Sequence, residues 1–156
     1  MVDGTAGGNG ARAPKAALVT LGCPMNQVDS ETIVGGLVSL GFKIVPENEA
    51  DLVVVNTCGF IESAREESIE TILSVAELKR TGSLKALVAA GCLAERYRDE
   101  LERELTEADA VVGLADRERI PGLCLELLSG TAPRDAAGAR VVMGPPHTAY
   151  LRIAEG

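Results

Sequence analysis

Three of the four cysteines in this 156-residue chain stand in matching settings. Cys23 closes AALVTLGC, Cys58 closes LVVVNTC and Cys92 closes LKALVAAGC, at nearly equal intervals along the chain. Each follows an apolar run and each has a glycine beside it (Gly22, Gly59 and Gly91). A deprotonated cysteine is a soft ligand, so three that converge point to iron–sulfur, zinc or copper(I). Closed structural sites of zinc or iron–sulfur normally take four protein ligands, and three leave one metal position open for chemistry. Cys124 is different. It falls on an apolar stripe with Ile120, Leu123, Leu127 and Leu128 and is expected in the core. No export signal precedes these residues, so the cysteines are expected as thiols in a reducing cytoplasm.

For the three to meet, the runs before them must be neighbouring strands. Ala16–Leu21, Leu52–Val55 and Leu84–Ala89 read as strands, with Phe42–Val45 and Asp109–Val112 as shorter ones. Helical patterns alternate with them. One follows Asp29-Ser30-Glu31 and stops at Gly41, and those three residues are expected to cap and charge its start. A second covers about Ser63–Arg80, with Ser63 and Glu66 as a capping box. Leu93, Tyr97, Leu101 and Leu105, four apart, mark a third helix, and the Cys124 stripe marks the last. Alternation of this kind predicts an α/β fold: three layers around a mostly parallel, five-stranded, flavodoxin-like sheet in the order 2-1-3-4-5. Ligands of such sheets bind at the carboxyl edge. With strands about 4.8 Å apart, strands one, three and four would fan their cysteines around one small volume.

Composition narrows the function classes. Charged residues are 24% and the apolar set 46%, which excludes a disordered chain. Aromatic residues are 3% with no tryptophan, and the net charge is −8. Both count against direct nucleic-acid binding by this domain, since backbone phosphates call for cations and unpaired bases for stacking rings. No apolar run approaches the roughly 18 residues that span a bilayer, so no membrane association is expected. Residues 1–14 read as a disordered leader, 15–130 as the domain and 131–148 as a linker. Residues 149–156 begin a further strand with nothing to pair with, as if the chain were cut there.

The cysteine segments resemble the methylthiotransferase family of the radical S-adenosylmethionine class. LGCPMNQVDSE (Leu21–Glu31) is similar to its L-G-C-x-x-N-x-x-D-S-E motif. NTCGFIESAREESI (Asn56–Ile69) and GCLAERY (Gly91–Tyr97) are similar to its second and third cysteine motifs. The resemblance implies that this is the N-terminal domain and that Cys23, Cys58 and Cys92 hold an auxiliary 4Fe-4S cluster, the sulfur source for the parent enzyme. A segment similar to YLRIAEG (Tyr150–Gly156) precedes, in the family, a Cys-x3-Cys-x2-Cys motif for a second 4Fe-4S cluster that binds S-adenosylmethionine. That catalytic domain would lie beyond Gly156, so the fragment alone is expected to be inactive.

Phe60-Ile61 stands where the tRNA-modifying branch carries an arginine. The resemblance therefore implies the branch that β-methylthiolates an aspartate of small-subunit ribosomal protein 12, a basic partner that suits the −8 charge. Met25 is more familiar in the tRNA branch. The alternatives are thus a tRNA adenosine methylthiotransferase domain or, outside the family, a non-catalytic thiolate metal-binding or redox module. Asn26 and Asn56 are the candidate supports of the cluster: either amide can hydrogen-bond a sulfide or ligand sulfur, or can satisfy loop backbone instead. Arg96 follows the third motif and can pair with a cluster or substrate charge. Glu62, Glu66 and Glu67 suit a helix N-terminus, with contact to a basic substrate as the alternative.

Overall fold

The computed structural model describes residues 12–22 and 24–130. Strands β1 (Lys15–Thr20), β2 (Lys43–Ile44), β3 (Leu52–Thr57), β4 (Ala86–Gly91) and β5 (Ala110–Val112) form one parallel sheet. Their order is β2-β1-β3-β4-β5, as the alternating pattern predicts. All six residues of β3 and all six of β4 are buried, which is why LVVVNT and ALVAAG show no polar alternation.

Helices cover both faces. Alternate residues of β3 divide between two cores, because successive strand side chains point to opposite sides. Leu52 and Val54 join Ile33 and Leu37 of α1 (Pro24–Ser39) and Ile120 and Cys124 of α5 (Ile120–Ser129). Val53 and Val55 join Ile72 and Val75 of α2 (Glu62–Arg80), Leu93 of α3 (Cys92–Arg96) and Leu101 of α4 (Arg98–Glu104). Cys124 is fully buried, and loss of hydration pushes its thiol up to about 12. It is the core residue its stripe predicts.

Three local expectations are corrected. Helix α1 starts at Pro24, well before Asp29. Proline suits a first helical position, where its missing N–H costs nothing. Asp29, Ser30 and Glu31 are consequently buried inside the helix, at 3%, 0% and 0% exposure, and do not cap it. The Ser63–Glu66 capping box does not form, since α2 begins at Glu62 with Ile61 as its uncapped preceding residue. The four-residue spacing from Leu93 to Leu105 spans two helices, because Tyr97 leaves helical geometry at φ −124° and ψ 32°. The Arg65 guanidinium lies over the Tyr97 ring, 4.4 Å from its centre. Periodicity reports which residues face the sheet, and a one-residue break leaves that face intact: Leu93, Leu101 and Leu105 are all buried.

Residues 12–14 of the expected leader already engage the domain. Arg12 pairs with Asp51 at 2.7 Å, and the Pro14 carbonyl accepts the Lys43 N–H at 2.8 Å. The rest of that leader, the linker over 131–148 and the further strand over 149–156 lie outside the described residues. Among the described residues no helix is long and apolar enough to cross a membrane.

Candidate metal centre

Strands β3 and β4 finish side by side, with Thr57 opposite Gly91, and the next residue on each is a cysteine. Cys58 is buried and Cys92 half-buried, and both are thiols. On the other side of β3 the Leu21 N–H donates to the Asn56 carbonyl at 3.0 Å, carrying the β1 contact one residue further. Gly22 then turns with φ +91°, and a methyl group on it would lie 2.7 Å from Cys58 Sγ. Only glycine allows that approach. The backbone just before Cys23 thus rests on the Cys58 side chain. Cys23 itself lies outside the described residues, so two of the three expected ligands are located, and both stand at the carboxyl edge. Among the described residues no group of three metal-ligating side chains comes together.

Asn26, in the first turn of α1, is buried at the centre of this edge. Its Nδ2 donates to the Leu21 carbonyl at 2.6 Å and to the Thr57 carbonyl at 2.9 Å. Its Oδ1 accepts from the Cys92 thiol, Sγ lying 3.7 Å away. One side chain therefore touches the turn before Cys23, the residue before Cys58, and Cys92. Asn56 works one layer below: its Nδ2 donates to the Asn26 carbonyl at 2.9 Å and to Ser30 Oγ at 3.0 Å, and Thr20 Oγ1 donates to the same Ser30 oxygen at 2.7 Å. The buried Asp29 meets Arg117 Nε at 3.4 Å, joining α1 to the short 3-10 turn Leu114–Arg119 ahead of α5.

Sequence reasoning missed Ser68. Its hydroxyl accepts the Cys58 N–H at 3.0 Å and donates to the Cys58 carbonyl at 2.9 Å, fixing that residue's backbone to α2. The available signal was a polar residue on an otherwise apolar buried series, Ser68, Ile72, Val75 and Ala76. Ser68→Ala should cost about 1–3 kcal/mol, because it strands a buried donor and a buried acceptor. It should also speed alkylation of Cys58 in the metal-free protein. Urea melts and iodoacetamide kinetics check both, and an unchanged alkylation rate would mean that β3 alone holds the residue. Arg96 lies next to the same loop, with Nη1 3.5 Å from the Gly59 carbonyl.

Two soft thiols on adjacent strands, with a glycine cradle where a β-carbon would collide with sulfur, fit a thiolate-held metal group. The fold and this edge define a class, a parallel α/β domain with Cys58 and Cys92 at adjacent strand ends. Residues 15–113 match the model described as uncharacterized protein family UPF0004, and the chain belongs to that family. Several similar relatives are named ribosomal protein uS12 methylthiotransferase RimO. The one from Desulforudis audaxviator is 43% identical over 155 residues, covering 94% of this chain and 34% of its own. That from Clostridioides difficile is 44% identical over 154 residues, covering 91% and 34%, and that from Syntrophomonas wolfei 45% over 148 residues, covering 88% and 34%. The chain spans about a third of the length of the curated relatives it matches.

Proposed function

We propose that this chain is the cluster-holding domain of a methylthiotransferase acting on an aspartate of ribosomal protein uS12, with Cys23, Cys58 and Cys92 as ligands of an auxiliary 4Fe-4S cluster. The observation that carries the reading is the placement of Cys58 and Cys92 one residue past paired strand ends, with the Gly22 backbone packed on Cys58. The relatives' names support the substrate. When bound, the cluster would supply an iron with an open position for sulfur. S-adenosylmethionine and the second cluster belong to the remainder of the parent, and the three thiols call for a reducing cytoplasm.

The chain's own residues bind and orient. Ser68 fixes the Cys58 backbone, and Gly22 and Gly91 let the flanking chain approach closely. Asn26 ties the Leu21 carbonyl to the Thr57 carbonyl through its two N–H donors, bonds that remain when the Cys92 thiol gives up its proton to bind metal. Burial of Cys58 beside Gly22 limits water at that sulfur.

Anaerobic reconstitution with iron and sulfide is expected to give broad charge-transfer absorption that Cys23→Ala, Cys58→Ala and Cys92→Ala each weaken. If all three variants assemble the wild-type cluster, the ligand assignment is wrong. Stoichiometric zinc without sulfide in anaerobically purified protein would favour the non-catalytic thiolate module. For the parent, mass spectrometry of uS12 and tRNA from a deletion strain separates the substrates, since only one would lose its methylthio mass.

A further inference from the structure

The loop between Cys58 and α2 exposes the two largest apolar side chains near the site. Phe60 is 85% exposed and Ile61 57%. The chain has two phenylalanines, and the other, Phe42, is in the core at 4% exposure. The Phe60 loop is built rather than loose. A methyl group on Gly59 would lie 2.9 Å from Leu93 Cα, so the loop lies directly on α3. The Gly59 carbonyl faces the Arg96 guanidinium, and the Ile61 carbonyl accepts the Arg65 N–H at 3.0 Å. The backbone on both sides of Phe60 is held while its ring points outward. Rigid exposed aromatics of this kind are typical anchors of protein interfaces.

Charge indicates what the anchor meets. Glu62, Glu66 and Glu67 follow on the exposed side of the first turns of α2. Arg65, the cation among them, turns away to stack on Tyr97 and to pair with Glu100 at 3.3 Å. An apolar tip bordered by exposed carboxylates, on a chain of net charge −8, complements a basic polypeptide that carries an apolar side chain. We infer that Phe60 and Ile61, bordered by Glu62, Glu66 and Glu67, are the docking surface for a basic segment of the protein substrate. The surface would hold that segment within reach of Cys58. This deepens the proposed function and rests on its reading of the substrate as a ribosomal protein.

The test is calorimetric titration of the full chain with purified uS12 at low and moderate salt. Phe60→Ser/Ile61→Ser is expected to weaken binding at least tenfold. Glu62→Gln/Glu66→Gln/Glu67→Gln is expected to weaken it and to flatten its salt dependence. Leu73→Ser, an exposed apolar position elsewhere on α2, should bind as wild type. Thermal melts should be unchanged throughout, since each altered side chain is exposed. Wild-type affinity in the Phe60→Ser/Ile61→Ser variant overturns the inference, as does a wild-type chain that binds tRNA but not uS12. Reconstitution of the same variants keeps the two readings apart. Normal cluster assembly with no effect on uS12 binding sinks the docking surface alone, whereas failure of the wild-type chain to assemble a cluster sinks the proposed function.

Discussion

Replacing Gly91 with alanine is expected to destabilise the domain by about 3–5 kcal/mol, a large share of the roughly 5–15 kcal/mol that holds a domain of this kind folded. Gly91 has φ +98° and ψ −160°, a region that side-chain-bearing residues hardly enter. It also ends a central strand against β3. A β-carbon there would meet Asn56 Oδ1 and would lie 2.5 Å from the Thr57 carbonyl oxygen, with Thr57 N at 2.9 Å. None of these atoms yields easily, because they belong to the backbone of β3 or to a buried amide already bonded to α1. Backbone strain and overpacking therefore add at one residue. Urea unfolding of G91A measures the loss, and a change below about 1 kcal/mol would show that the β3–β4 edge can open at little cost. Gly41 is the internal comparison: its φ is +93°, yet nothing lies within 4 Å of a β-carbon there, so G41A should show the strain without the collision.

The second large effect is expected at Asn26. Asn26→Ala removes the donor to two carbonyls and leaves a buried hole, at about 2–4 kcal/mol. Asn26→Asp keeps the shape but puts a carboxylate against the Leu21 and Thr57 carbonyl oxygens, so it should be no milder than the alanine. If the amide holds the edge by hydrogen bonding, both variants should also retain a reconstituted cluster about 10–100-fold less tightly, while a variant remote from the edge does not. Chelator-challenge rates and the cluster's electron paramagnetic resonance signature measure this separately from the melt. Near wild-type retention in Asn26→Asp would reduce Asn26 to a packing residue.

How much of this could be read without coordinates depends on the range of the interaction. Continuous apolar runs such as LVVVNT and ALVAAG mark buried parallel strands because a strand covered on both faces has no polar side. Crossover handedness and the alternation of elements then leave few strand orders, and β2-β1-β3-β4-β5 is one of the common ones. Cys58 and Cys92 could be assigned to one edge for the same reason, since a residue just past a strand inherits that strand's position. The helix starts were less legible. Asp29-Ser30-Glu31 has the composition of a capping segment, but Pro24 starts α1 earlier and turns those residues inward.

The amino-acid sequence by itself determined the α/β class, the sheet order, the core placement of Cys124 and the position of Cys58 and Cys92 at adjacent strand ends. All of these follow from periodicity and local backbone preference, which act over a few residues. Tertiary structure alone decided which polar atoms serve that edge. Asn26 reaches a carbonyl 31 residues away and a thiol 66 residues away, and Ser68 closes on Cys58 across a loop. Such bonds depend on ångström-scale approach between segments that no local pattern positions. The same approach decided that Gly22 and Gly91 admit no side chain, and that Phe60, in a chain short of aromatic residues, stands outside the core beside the site.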